Sequence, residues 1–242
     1  MKPPFCFKTR SLFFVLLALA AGSRAVSAAD QPVKLPDSGY IAQSRAAFPD
    51  FPPPPLPESG QGKSDVAEVL AWQARRTAED CARLKAETYT SYGVMYGALS
   101  PFPAPLPEKA AAFFRRVRAD LDYSVGILKL RHKRPRPFSR GRQFRPCHKK
   151  TDGYSYPSGH AVNAFVYALI LSDLEPLKRD AFLSRAREIA LNRVIAGVHY
   201  PSDIAAGEKL AGEIYGILRK ERSFTEDLDL LRAELSSAGR PQ

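Results

Sequence analysis

Tyr154-Ser155-Tyr156-Pro157-Ser158-Gly159-His160-Ala161, YSYPSGHA, stands directly before a long apolar run and holds one of only four histidines in the chain. Pro157 biases Tyr156 away from helical backbone, Ser158 is a good N-cap, and Gly159 lets other groups approach the chain closely. A helix therefore starts here, with its first free N–H groups pointing outward, and such an end attracts anions. Taken alone, the stretch favours an ordinary capped helix whose histidine is polar surface. Its surroundings decide between the two.

The rest of the chain repeats the helical theme. Asp65 with Glu68 three residues later resembles a capping box, and Val66, Val69, Leu70, Thr77, Cys81 and Leu84 then recur at helical spacing. Prolines 101, 103, 105 and 107 interrupt the chain before a second helix, which carries Phe114, Val117, Leu121, Val125 and Leu128 on one face and Lys129 near its end. Further helices are expected from Ser158 to about Ser172, from Pro176 to about Val194, from Asp203 to about Leu218, and over Glu226 to Ser236. No run of alternating strand residues occurs, so the expected fold is an all-α, single-domain helical bundle.

Ahead of it, Phe48 to Pro57, FPDFPPPPLP, cannot be helix or central strand and is expected as an extended arm laid over the domain. The expected organisation is a leader at 1–28, an extended Pro-rich segment at 29–60 and a helical domain at 61–242. The leader reads as a signal peptide: Lys2, Lys8 and Arg10 precede an apolar stretch from Leu12 to Ala21, and small residues follow at 26–29. Ten apolar residues are short for a bilayer, so cleavage and a periplasmic or secreted location are expected, with the mature chain starting at Ala29 or Asp30.

The formal charge of +11 falls to +7 once the leader leaves, because that segment holds four basic and no acidic residues. A basic surface favours an acidic partner such as a phosphate ester, an anionic polymer or a membrane surface. Cys6 leaves with the leader. Cys81 and Cys147 remain, either as a disulfide in an oxidising compartment or as two buried thiols.

Two further stretches carry chemistry. In Lys129-Leu130-Arg131-His132-Lys133-Arg134-Pro135-Arg136-Pro137, a lysine and a proline-flanked arginine stand seven apart, and both suit an oxyanion. In Asn192-Arg193-Val194-Ile195-Ala196-Gly197-Val198-His199-Tyr200-Pro201-Ser202-Asp203, Gly197 and Pro201 put His199 in a turn. Asp203, four residues on, can bond one ring nitrogen and leave the other free to attack. Arg193 adds a third cation.

In that order, Lys129–x6–Arg136-Pro137, Pro157-Ser158-Gly159-His160 and Arg193–x5–His199–x3–Asp203 resemble the tripartite signature of the type 2 phosphatidic acid phosphatase (PAP2) superfamily. Within it, the chain is similar to the class A bacterial nonspecific acid phosphatases, over most of its mature length. The resemblance implies an all-helical fold and a phosphomonoesterase that works without metal or cofactor. His199 would attack phosphorus, Asp203 would orient its ring, and His160 would protonate the leaving alcohol and later activate water. Lys129, Arg136, Arg193, the Ser158 side chain and the Gly159 N–H would hold the non-bridging oxygens. Small phosphate monoesters such as nucleotides or aryl phosphates are the expected partners, with phosphotransfer to alcohols as a side activity and an optimum on the acid side.

The chain departs from the family pattern twice. Asn192 stands where serine is usual before the arginine. Ala196 stands where relatives carry the partner of a cysteine near Cys147, which makes a Cys81–Cys147 bridge a hypothesis. Tyr92, in YTSYGVMYG, is a candidate pocket wall, and His132 and His148 match no catalytic position and read as surface residues.

The competing readings are a lipid-phosphate phosphatase or a vanadium haloperoxidase-like enzyme using the same pocket. From another class comes a basic nucleic-acid-binding protein, suggested by ten Lys or Arg and no acids from Lys129 to Lys150. A stable nucleic-acid complex is not expected, because two of those cations belong to the spaced motif. Homo-oligomerisation stays open.

Overall fold

A computed structural model describes residues 39–147 and 152–238; the leader, the first part of the Pro-rich segment and His148 lie outside them. Among the described residues there are helices and no strand, as the patterning predicts. The order is α1 (Gln43–Ala46), α2 (Gly60–Arg75), α3 (Ala78–Ala86), α4 (Tyr92–Tyr96), α5 (Glu108–His132), α6 (Gly159–Leu174), α7 (Arg179–Ile195), α8 (Pro201–Leu218) and α9 (Arg222–Ala238).

Helix α6 is the central element. Most of its residues are buried on all sides, and it packs against α5, α7, α8 and α9. Its small residues Ala161, Ala164 and Ala168 let the neighbours come close. At Gly207 on α8, a Cβ would stand 2.6 Å from the Ala161 methyl carbon and 2.9 Å from the Ser158 carbonyl. Only glycine permits that approach, and it seats the start of α8 against the start of α6.

Helix α5, at 1.5 Å per residue, is roughly 37 Å long. It buries the expected face of Phe114, Val117, Leu121, Val125 and Leu128. Its end is set by Lys133, which takes a left-handed conformation (φ 46°), and by the two prolines after it.

The first expected helix is instead two. Ser59, not Asp65, caps α2, its hydroxyl accepting from Gly62 N at 3.1 Å, and Asp65 is fully buried inside the helix. Its carboxylate serves a different purpose, described below. The apolar periodicity then runs across a break, because Thr77 and Asp80 form a true capping box, with Thr77 N to Asp80 Oδ2 at 3.0 Å and Asp80 N to Thr77 Oγ1 at 3.2 Å.

Residues 51–56 are extended and lie over the end of α5, where Tyr156 Oη donates to Pro52 O at 2.8 Å and Arg131 Nη1 donates to Phe48 O at 2.6 Å, but the segment expected to be extended also holds α1 and turns at Pro49 and Asp50. That cover corrects the reading of His132. Its ring is partly buried edge-on to Tyr156, with centroids 5.3 Å apart, and its Nε2 is shut off from water. Arg140, Arg142 and Arg145 are exposed.

A smaller apolar cluster of Val69, Leu84, Phe138, Phe144, Val194, Val198 and Tyr200 binds α2 and α3 to the end of α7. Cys81 and Cys147 are joined in a disulfide that ties α3 to the loop beside it. Cys147 N donates to Ala196 O at 2.9 Å, so the chain passes the very residue that replaces the family's usual cysteine, and its sulfur turns to α3 instead.

Candidate active site

The site lies where the start of α6, the end of α5 and the α7–α8 turn converge. Gly197, at φ 73°, stops α7 in the left-handed region, which turns Val198 and His199 inward. Ser158 N donates to Asp203 O at 3.0 Å, locking the two helix starts together. Ser158 itself is fully buried and its hydroxyl accepts from Ala161 N at 3.4 Å. The N–H groups of Gly159 and His160 open the helix and have no partner within it.

His199 is 2% exposed and its two ring nitrogens have distinct partners. Nδ1 faces Asp203 Oδ2 at 3.3 Å, and Nε2 faces Arg136 Nη1 at 3.2 Å. A carboxylate accepts and a guanidinium only donates, so Nδ1 carries the hydrogen and Nε2 presents its lone pair. Burial depresses the ring's pKa, the Asp203 bond opposes, and the nearby Arg136 and Lys129 charges depress it further, to about 3. The imidazole is therefore neutral across the ordinary pH range.

Asp203 is fully buried and its second oxygen accepts from Arg134 Nη1 at 2.5 Å. Burial pushes its carboxyl up, but the His199 bond, the Arg134 charge and the Tyr200 N–H together hold it below the usual value. Arg134 also reaches Asp65 Oδ2 at 2.7 Å and Ser202 Oγ at 2.8 Å, while Ser202 N donates to Asp65 Oδ1 at 3.0 Å. Asp65 and Arg134 thus form a buried support behind the His199–Asp203 pair. Neither stands out in the sequence as part of a site: Asp65 imitates a helix cap, and Arg134 is one of many arginines two residues from the motif position.

Lys129, Arg136 and Arg193 surround the histidines. Lys129 donates to Tyr154 O, Arg136 to Val198 O at 3.0 Å and Gly153 O at 3.1 Å, and Arg193 to Glu87 O and Leu84 O at 3.3 Å each. Backbone carbonyls hold all three, and burial lowers their pKa values, to about 7 for Lys129 and about 10 for each arginine. The Nε of Arg193 is buried with no partner. Cations gathered out of water without enough counter-charge form a site that a doubly charged anion would relieve.

His160, on the first turn of α6, directs Nε2 to Thr88 O at 3.0 Å and lies 3.4 Å from Arg193 Nη1. A carbonyl accepts, so Nε2 carries the hydrogen. Burial, then the Arg193 charge, keep this ring well below the ordinary histidine value, so the imidazole is neutral. All eight residues singled out from the sequence therefore come together here. Thr88 and Glu87, from the loop after α3, were not among them. Tyr92, expected as a pocket wall, instead lines a different cleft of about 340 Å³ that shares no lining residue with the site, and it stacks on Phe114 with centroids 4.0 Å apart.

Residues 119–219, which include Lys129 through Asp203, match the family model described as the PAP2 superfamily. The chain carries a PAP2 superfamily domain. It is 28% identical to a non-specific acid phosphatase of Providencia stuartii over 94% of this chain and 98% of that one. With an acid phosphatase of Zymomonas mobilis it shares 33% identity over 139 residues, 56% of this chain and 52% of the relative. The PAP2 domain and these relatives make the protein a phosphatase.

Two solved structures share the fold. A transmembrane PAP2-type phosphatidylglycerolphosphate phosphatase from Bacillus subtilis superposes with a TM-score of 0.52 at 19% identity, covering 68% of this chain and 87% of that one. A bacterial vanadium-dependent iodoperoxidase gives 0.56 at 17% identity, covering 75% and 54%. Among the described residues, no helix is long and apolar enough to cross a membrane.

Proposed function

We propose that this phosphatase is an exported phosphomonoesterase that works through a phosphohistidine on His199 without a metal. The observation that carries the reading is the neutral His199 ring with its Nε2 lone pair facing a cluster of three desolvated cations. Lys129, Arg136, Arg193, Ser158 Oγ and the Gly159 N–H take the non-bridging oxygens, the three cations providing the charge neutralisation that such a transfer needs.

Phosphate binding draws Arg136 off Nε2, which then attacks phosphorus. The Nε2–P bond forms, the P–O bond to the alcohol breaks, and His160 gives its proton to the departing oxygen. Asp203 balances the positive charge on the phosphorylated ring. Water then attacks phosphorus, His160 takes its proton, and the P–N bond breaks to return His199 and release inorganic phosphate. An alcohol in place of water gives phosphotransfer by the same steps.

The reaction needs His160 cationic in the complex, although it is neutral in the empty site. The proton therefore arrives with the substrate anion, either taken up by His160 or carried on the monoanion, which favours acidic pH. Export rests on the leader at 1–28.

The test compares wild type and His199→Ala for phosphate release from an aryl phosphate in excess chelator. Wild type should turn over and the variant should fall by at least roughly 10³-fold, as for removal of a covalent nucleophile. Equal rates would overturn the mechanism, and loss of wild-type activity in chelator would overturn its metal independence.

A further inference from the structure

Glu87 closes α3 and is mostly buried, with 15% of its side chain exposed. Its two carboxylate oxygens go to two residues of α7: Oε1 accepts from Arg185 Nη2 at 2.9 Å and Oε2 from Asn192 Nδ2 at 2.7 Å. Arg185 and Asn192 are seven residues, or two turns, apart and so share a face of α7. The carboxylate is thus gripped at both ends by one rigid element.

What that grip fixes is the backbone around it. Leu84 O and Glu87 O accept from Arg193 Nη2 and Nη1, and Thr88 O accepts from His160 Nε2. Both Nη atoms are held by carbonyls of α3, whereas the buried Nε of Arg193 has no partner. A free donor that deep costs stability unless a ligand meets it. Asn192 is one of the two positions where this chain departs from the PAP2 pattern. A serine hydroxyl there would end about 1.3 Å short of the amide nitrogen, roughly 4 Å from Glu87 Oε2 and too far to bond.

We propose that Glu87 is a positioning residue of the phosphate site, locked to α7 by Arg185 and Asn192 so that the carbonyls of α3 and Thr88 aim Arg193 and His160 at the bound phosphoryl group. The inference rests on the reading of Arg193 and His160 given above. It makes the Asn192–Glu87 pair interdependent: asparagine at 192 is useful because glutamate stands at 87.

A charge swap tests it. Asn192→Asp places a second carboxylate against Glu87 and should push the loop off the site. Adding Glu87→Gln restores the contact, because the new side-chain amide can accept from Arg185 and donate to the carboxylate introduced at position 192, while the local charge stays the same. The readouts are the affinity for inorganic phosphate by calorimetry, kcat and KM for an aryl phosphate, and the thermal midpoint.

Phosphate affinity and kcat/KM should fall about tenfold or more in Asn192→Asp and return to within about threefold of wild type in the double variant, the scale of coupling between contacting residues. A tether that only held α3 to α7 would move the midpoint and leave phosphate affinity alone. Unchanged affinity in Asn192→Asp, or a folded double variant no better than the single, overturns the proposal. Should Asn192→Asp fail to fold, Asn192→Ser removes only the one bond, and unchanged phosphate affinity there has the same force. Calorimetry reads binding without turnover. A wild type that bound phosphate but hydrolysed nothing would therefore defeat the catalytic reading and leave this one standing.

Discussion

Replacing Arg134 with methionine removes the shared partner of two carboxylates, Asp65 and Asp203, both 0% exposed. The side-chain volume is largely kept, so the loss is electrostatic. Breaking a buried ion pair by deleting one partner costs about 3–5 kcal/mol. Each acid keeps some support here, Asp65 from Ser202 and Asp203 from His199 and the Tyr200 N–H, which argues for about 4 kcal/mol in total rather than twice that. At roughly 2–4 °C per kcal/mol for a chain of this size, the melting temperature should drop by about 10 °C.

The sign of the pH dependence separates this account from a packing defect. In wild type, Asp203 is held below its unfolded value, so it adds stability above the unfolded carboxyl pKa and loses it as pH falls toward the folded one. Without Arg134 the burial that pushes this carboxyl up has less to oppose it. The variant's folded state should then take a proton as pH falls, regaining stability where wild type loses it. Urea unfolding at pH 8, 6 and 4.5 should show the gap widest at pH 8 and less than half as large at pH 4.5. A gap that stays constant across that range would refute the charge argument, and a loss below about 1 kcal/mol at pH 8 would mean the network contributes no more than an exposed pair.

Two further outcomes follow from the geometry. Binding of inorganic phosphate should bring a proton onto His160, because each negative charge at about 5 Å contributes roughly 3 kcal/mol at an effective dielectric of 20, or about 2 pK units. Calorimetry at pH 6.5 in buffers of different ionisation enthalpy should show that uptake in wild type and its loss in His160→Asn; equal uptake in both would sink it. Replacing Cys81 and Cys147 together with serine opens a link between residues 66 apart and should cost about 4 kcal/mol in urea unfolding, with a loss below about 1 kcal/mol contradicting the structural role.

What could be read ahead of the structure follows from what each residue's role depends on. Helical periodicity placed α5 to α9 within a few residues, because core contact on one stripe leaves its period in the chain. The same logic failed at Arg76, where the apolar stripe continues across a break made by the Thr77–Asp80 box, so periodicity alone could not see two helices. The Lys129, Arg136, His160, Arg193, His199 and Asp203 set was legible because its chemistry lives in side-chain type and its members fall within short, ordered spacings.

Arg134 and Asp65 stand on either side of that limit. Arg134 lies two residues from Arg136 and differs from it only in direction: one guanidinium faces His199, the other faces two buried acids from behind. Nothing in the residue type distinguishes them. Asp65 is 69 residues from Arg134 and 138 from Asp203, and its local company of Ser64 and Glu68 imitates a helix start, the cheaper explanation for an acid in that place. Glu87 is harder still, because it acts through carbonyls that every residue possesses. Asn192 was the one trace it left: a departure from the expected serine that looked like a loose end in the third motif and is, in three dimensions, the other half of a contact with α3. A substitution beside a catalytic arginine is therefore informative even where it removes no catalytic group, since the new side chain must find a partner and that partner marks what else holds the site.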